Sequence, residues 1–245
     1  MIIGGLEKLS LIDYPGELAA VIFTQGCNFR CPFCHNPMLV QASSGAGKIK
    51  NTQNRDEQEG HSYISKNDLL DFLKSRSGKL DGVVVTGGEP TVHADIGDFL
   101  QEIKDLGYKV KLDSNGTNPQ VLEQLFQRQV VDYLAMDFKG PLEKYPEITR
   151  TDFDFSKIQE SVKIIMNSEV AYEFRTTLVP GFVKKKDIKK IGENIQGAQK
   201  WFLQRFISYT DLLDNDFRKL KPISEAEMQE MKKTAQQYVE TADLR

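Results

Sequence analysis

Short apolar runs of six to nine residues alternate along the chain with longer stretches in which apolar residues recur every third or fourth position. The runs LAAVIFTQ (18 to 25), GVVVTG (82 to 87), YKVKLDS (108 to 114), DYLAMDF (132 to 138), AYEFRTTLV (171 to 179) and WFLQRFI (201 to 207) predict six strands. Helices are predicted from about 65, over 95–106, 119–129, 156–168 and 186–197, with a closing helix over about 224–241. Leu69, Leu70, Phe72 and Leu73 form the apolar stripe of the first, and Ile96, Phe99, Leu100 and Ile103 that of the second. Strands alternating with helices imply parallel pairing with crossovers, in an open doubly wound sheet or a barrel.

The placement of the unusual residues favours the barrel. CNFRC follows the first strand, GGEP the second and DSNG the third, while MDFK and RTTLVPG end the fourth and fifth. Carboxyl ends of strands are where β/α barrels assemble their active sites. The expectation is one α/β domain over 1–245 with its barrel core at about 18–207, since no repeat, heptad or linker demands a second domain. Residues 41–62 are polar and rich in Gly, Ser and Asn, which predicts a long loop. Its GAGK is not a phosphate loop, because Ala42 and Ile49 stand where Gly and Ser or Thr are required.

Composition narrows the partners. Of 245 residues 40% are hydrophobic and 27% charged, enough for a substantial core. The 32 basic and 35 acidic residues leave a net charge of -3, so neither nucleic acid nor an anionic membrane is expected as a partner. No run approaches the ~20 apolar residues of a membrane span and no basic, apolar leader opens the chain, which predicts a cytoplasmic protein. All three cysteines, Cys27, Cys31 and Cys34, fall inside CNFRCPFC. An odd, clustered set argues for a metal or redox site and against a disulfide framework.

Three thiolates at C-x3-C-x2-C fall one short of a closed zinc site, and His35 could supply the fourth ligand, so a non-catalytic Cys3His zinc module stays open. An iron-sulfur cube held by three cysteines would leave one iron open for a substrate or cosubstrate.

The spacing, with aromatic Phe33 just before the last cysteine, resembles the cluster loop of the radical S-adenosylmethionine (SAM) enzymes. The resemblance runs from about 18 to about 207 and implies a partial (βα)6 barrel holding a 4Fe-4S cluster on Cys27, Cys31 and Cys34. It implies that the reduced cluster passes an electron into SAM and so yields a 5'-deoxyadenosyl radical. It also implies that Gly87, Gly88 and Glu89 meet the methionyl ammonium, with the glycines admitting close backbone approach, and that His35 lies beside SAM rather than on the metal. Asp113, Ser114, Asn115, Asp137 and Lys139 resemble the Asp-Thr-Asn-Gly and Asp-Leu-Lys segments around SAM in glycyl-radical activating enzymes, in some cases with a monovalent cation. Two convergent carboxylates would need such a cation, and because Ala135 has no ligating side chain it could contribute only a backbone carbonyl. Arg175 either receives a carboxylate of SAM or substrate or pairs with Glu173, which shares its strand face.

QGCNFRCPFCHNP, VVTGGEPT, DSNGT, LAMDFKGP, YEFRTTLVPG and LQRF together resemble the activating proteins of anaerobic (class III) ribonucleoside-triphosphate reductase. That implies a glycyl-radical enzyme as partner and a flavodoxin- or ferredoxin-type electron donor. A radical SAM enzyme acting on a small molecule, such as one of deazapurine synthesis, is the alternative within the superfamily.

Overall fold

A computed structural model describes residues 1–40 and 64–245; the polar loop expected at 41–62 lies outside the described residues. Eight strands form one sheet in chain order: β1 (Ile3–Ser10), β2 (Ala19–Thr24), β3 (Gly82–Gly87), β4 (Lys109–Ser114), β5 (Tyr133–Asp137), β6 (Ala171–Leu178), β7 (Lys200–Arg205) and β8 (Thr241–Leu244). β1 pairs antiparallel with β2, and every later neighbour pairs in parallel. Strands β2 to β7 are the six that the apolar runs predict, and their order is that of a partial barrel.

The helices are α1 (Pro37–Val40), α2 (Lys66–Ser75), α3 (Ile96–Asp105), α4 (Pro119–Gln127), α5 (Tyr145–Thr149), α6 (Ser156–Met166), α7 (Lys185–Asn194) and α8 (Glu225–Ala235). Their starts follow local chemistry. Ser65 caps α2 by accepting from the Asp68 N–H, Ser224 caps α8 in the same way, and Pro119 opens α4 with the fixed φ suited to a first turn.

Two expectations are corrected. The helix expected to 241 stops at Ala235, and the chain turns to make β8, where Glu240 and Thr241 donate to the carbonyls of Ala198 and Gln199. β1 was also not expected as a strand: IGGLEKLS combines two glycines with charged residues, because as the outer strand it is buried mainly at its amino end.

The strands divide their residues between two cores. Outward positions such as Ile22, Val83, Val85, Leu112, Leu134, Met136, Phe174, Trp201 and Leu203 are buried beneath the helices. Each such side chain withdraws enough apolar area to contribute roughly 1.5–3 kcal/mol. Inward positions are different. Ala19, Val21, Val84 and Tyr133 make a small apolar layer closed by Tyr14, with Phe23 packed against it. Nearer the carboxyl ends the inward residues become polar, so the barrel interior ends in a lined cavity rather than more core.

Candidate active site

The cysteine loop leaves β2 and is tied down on every side. Arg30 donates its N–H to the Thr149 carbonyl and its guanidinium to the carbonyls of Cys27 and Phe29. Phe29 packs edge-on against Tyr145 at 6.4 Å and Phe153 at 6.2 Å. Asn28 exchanges side-chain bonds with the loop after β4, donating to Thr117 Oγ1 at 2.8 Å and accepting from Asn115 Nδ2 at 2.8 Å. A residue between two of the cysteines thus fixes their loop to the end of β4, two strands away in the sheet, a role invisible in its spacing alone.

The Gly87-Gly88-Glu89 turn sits directly against the start of that loop. Gly88 N–H donates to the Thr24 carbonyl and Glu89 N–H to the Gly26 carbonyl, both at 2.8 Å. A Cβ on Gly88 would stand 2.0 Å from the Gly26 carbonyl oxygen, and Gly87, at φ +117°, would place one 2.3 Å from the Thr24 nitrogen. The glycines are therefore required by backbone packing between β2 and β3, a cause the sequence reading did not contain. Gly88→Ala is expected to cost on the order of 1–3 kcal/mol through overpacking and to loosen the cysteine loop. Thermal unfolding and iron uptake of the variant measured beside the wild type check this.

Glu89 has a structural task as well. Its Oε1 accepts from the Thr91 N–H, the Thr91 hydroxyl and the Ser114 hydroxyl, and its Oε2 accepts from the Asn115 N–H at 2.6 Å. The carboxylate, 1% exposed, braces the turns after β3 and β4 rather than extending freely to a ligand. Ser114 and Asn115 are committed to the same brace, Asn115 Oδ1 accepting from both the N–H and the hydroxyl of Thr117.

Across the mouth, five charged side chains form a continuous row. Lys111 Nζ lies 2.5 Å from Asp113 Oδ1, Arg175 NH1 3.1 Å from Asp113 Oδ2, Arg175 Nε 2.8 Å from Asp137 Oδ1, and Lys139 Nζ 2.9 Å from Asp137 Oδ2. Burial alone would raise both carboxyls, but Arg175 with Lys111 and Lys139 reverses this and holds Asp113 and Asp137 below the usual carboxylate range. Arg175 therefore does not pair with Glu173. That residue is taken by both guanidinium nitrogens of Arg245, at 2.6 and 3.0 Å, and by the Tyr133 hydroxyl at 2.8 Å.

All of this surrounds one cavity of about 470 Å³. Cys27, Cys31 and Cys34 line it together with Phe33, His35, Gly87, Gly88, Glu89, Asp113, Ser114, Asn115, Asp137, Lys139 and Arg175, so every candidate residue converges on one space. Phe33 is buried against Phe182, and His35 lies at the rim with Nδ1 2.9 Å from Thr210 Oγ1. Thr86, Thr177 and Gln204 also line the cavity and escaped the sequence reading. Their signal was a polar residue at an inward position of a strand whose outward positions are apolar. His93 is half-buried elsewhere, in a groove between α3 and α4.

The donor set suits a thiophilic centre. Burial pushes the Cys27 thiol up to about 12 and Cys31 up to about 11, and raises Cys34 as well, while Lys139 pulls all three back in part. Such thiols stay protonated at neutral pH until a metal displaces the protons. Among the described residues no three His, Cys, Asp or Glu side chains already stand grouped around a single point, so the fit rests on donor chemistry and the shared cavity.

A barrel of this order with three thiols at its carboxyl mouth defines a radical SAM protein, and the family model of the Radical SAM superfamily matches residues 21–191. The chain belongs to that superfamily, whose enzymes work with a 4Fe-4S cluster and SAM. It is 31% identical to a Methanocaldococcus jannaschii protein described as a glycyl-radical enzyme activating enzyme, over 100% of this chain and 95% of that one. It is 27% identical to the pyruvate formate-lyase-activating enzyme of Staphylococcus aureus over 78% of this chain and 73% of that one. Among solved structures, SuiB of Streptococcus suis bound to SAM superposes with a TM-score of 0.63 at 14% identity, covering 92% of this chain. The chain spans 49% of the length of SuiB, and the likeness concerns the fold. Among the described residues no helix is long and apolar enough to cross a membrane.

Proposed function

We propose that Cys27, Cys31 and Cys34 hold the 4Fe-4S cluster and that the chain activates a glycyl-radical enzyme. The observation that carries this is the convergence of three thiols, the Gly87-Gly88 turn and the charged groups of Asp113, Arg175, Asp137 and Lys139 on one cavity. When bound, the cluster supplies one electron for reductive cleavage of SAM, and SAM supplies the carbon radical that takes hydrogen from the substrate.

The protein's part is positional and electrostatic. Asp113 and Asp137 hold Arg175 and Lys139 at the wall, and the row carries three cations against two carboxylates, an excess suited to the SAM carboxylate. Gly87 and Gly88 let the β3 turn lie flat on the root of the cysteine loop, so the thiols and the SAM-binding wall move as one piece. Phe33, which lines the cavity with the thiols, is held there by packing on Phe182.

The partner in this reading is a glycyl-radical enzyme, most specifically the anaerobic ribonucleoside-triphosphate reductase, with a flavodoxin- or ferredoxin-type protein as electron donor. Two features support it: the relative described as a glycyl-radical enzyme activating enzyme matches along the whole chain, and the 245 residues contain no cysteines beyond the three, which leaves no ligands for an inserted or auxiliary cluster. The test is to mix reconstituted, reduced protein and SAM with a candidate reductase and record its electron paramagnetic resonance spectrum. A glycine-centred doublet is expected, and its absence beside intact SAM cleavage would overturn the assignment of partner.

A further inference from the structure

We propose that Lys111 is a built-in counter-cation of Asp113 which, together with Arg175 between Asp113 and Asp137, does the work of the monovalent metal ion that the sequence resemblance allows beside these carboxylates, so that the site assembles without such an ion. Lys111 lies on β4 two residues before Asp113 and therefore on the same, inward face. Its side chain is only 2% exposed. A lysine so deep is costly unless it is paired, and its Nζ sits 2.5 Å from Asp113 Oδ1.

The other carboxylate oxygens are equally committed. Asp113 Oδ2 accepts from Arg175 NH1 at 3.1 Å and from the Thr86 hydroxyl at 3.2 Å. Asp137 Oδ1 accepts from Arg175 Nε and Oδ2 from Lys139 Nζ. Each of the four oxygens thus meets a cationic nitrogen, and a metal ion bridging the two carboxylates would have to displace the guanidinium. It would also add charge to a row that already carries one positive charge in excess.

Ala135 makes the arrangement possible. The register sets it between Asp113 on β4 and Glu173 on β6, and Arg175 reaches across β5 to Asp113 past this short inward side chain. A longer side chain there would obstruct the guanidinium, and alanine brings no ligand of its own. Lys111 does not line the cavity. It acts from beneath, through Asp113, and is a positioning residue.

The experiment uses Na+ and K+ on the cluster-free, full-length protein, so its ion arm stands apart from the reading of the cavity as a SAM site. Thermal unfolding in the chlorides of Na+, K+ and choline at equal ionic strength, with 23Na relaxation as a direct binding readout, is expected to show no selective effect on the wild type. Lys111→Ala, which opens a hole beside Asp113, is expected to melt lower in choline and to recover in K+ or ammonium. Lys111→Met, which fills the hole with an apolar chain, is expected not to recover. With cluster restored, SAM affinity of Lys111→Ala should fall roughly tenfold or more in choline and return in K+. Selective Na+ or K+ binding by the wild type, or a Lys111→Ala protein indifferent to the salt, would overturn the proposal. Should neither variant fold, the wild-type ion measurements decide it alone. A wild type that binds no SAM would instead count against the SAM site itself.

Discussion

Replacing any one of Cys27, Cys31 or Cys34 by Ala is expected to reduce the iron retained after anaerobic reconstitution from about four atoms per chain to background. SAM cleavage is expected to vanish with it. The 245-residue sequence holds no fourth cysteine that could step in. His35 is a poor substitute, because its ring is held at the rim by Thr210 and faces Phe206 at 6.4 Å. Cys31 is the most deeply packed of the three, so Cys31→Ser, which keeps nearly the same volume, separates loss of the metal from loss of packing. Iron and sulfide analysis checks the result. Iron retained in all three variants, or stoichiometric zinc that survives reconstitution in the wild type, would return the loop to the Cys3His reading.

The second large effect is expected from Arg175→Met. The substitution keeps the bulk of the side chain but leaves Asp113 and Asp137 facing one another with only Lys111, Lys139 and Thr86 for compensation. Removing one partner of a buried pair costs about 3–5 kcal/mol, and the partial exposure of Asp137 places this case at the lower end. For a chain of this size that corresponds to a fall of roughly 6–12 °C in melting temperature.

The dependence on pH has a definite sign. Because the folded Asp113 and Asp137 carboxyls lie below the unfolded value of about 3.9, their stabilisation is complete above that value and is lost as the pH falls through the folded range. The gap between wild type and variant should therefore be widest near neutrality and narrow in acid. Melting curves at pH 7 and below pH 4 test it, and equal melting temperatures at pH 7 would mean that the row is a solvated one.

How much of this could be read from the sequence depended on which side of the sheet a residue faces. Ile22, Val85, Leu112 and Met136 face the helices, so apolar runs marked their strands and even gave β3 its full limits. The ends of those strands then located Cys27, Gly87, Asp113, Asp137 and Arg175 on one mouth. Inward residues were harder to read. Lys109, Lys111 and Asp113 alternate with Val110 and Leu112 in the manner of a strand with one wet face, yet Lys111 is among the most buried side chains of the protein. Alternation reports a polar environment on one side of a strand and does not distinguish solvent from a charged barrel interior.

The partners of shared-face residues were likewise hidden. Glu173 and Arg175 are two positions apart on one strand, which suggested a pair, but each meets a charge from a distant element: Glu173 meets Arg245, and Arg175 meets Asp113 and Asp137. Long side chains inside a barrel reach across neighbouring strands as easily as along their own. The carboxylate of Glu89 shows a further limit. Its four donors come from residues 91, 114 and 115, and no local pattern announces that a turn glutamate will be consumed as a brace.

The central claim is that this cavity generates a radical which is passed to a glycine of a partner protein. It is tested most directly by isotope transfer. Partner enzyme prepared with α-deuterated glycine is incubated anaerobically with the reconstituted protein, reductant and SAM, and the 5'-deoxyadenosine formed is analysed by mass spectrometry. The account predicts one deuterium in the recovered 5'-deoxyadenosine together with a glycine-centred radical in the partner. Abundant 5'-deoxyadenosine without deuterium, from a preparation carrying its full complement of iron and a competent partner, would contradict it.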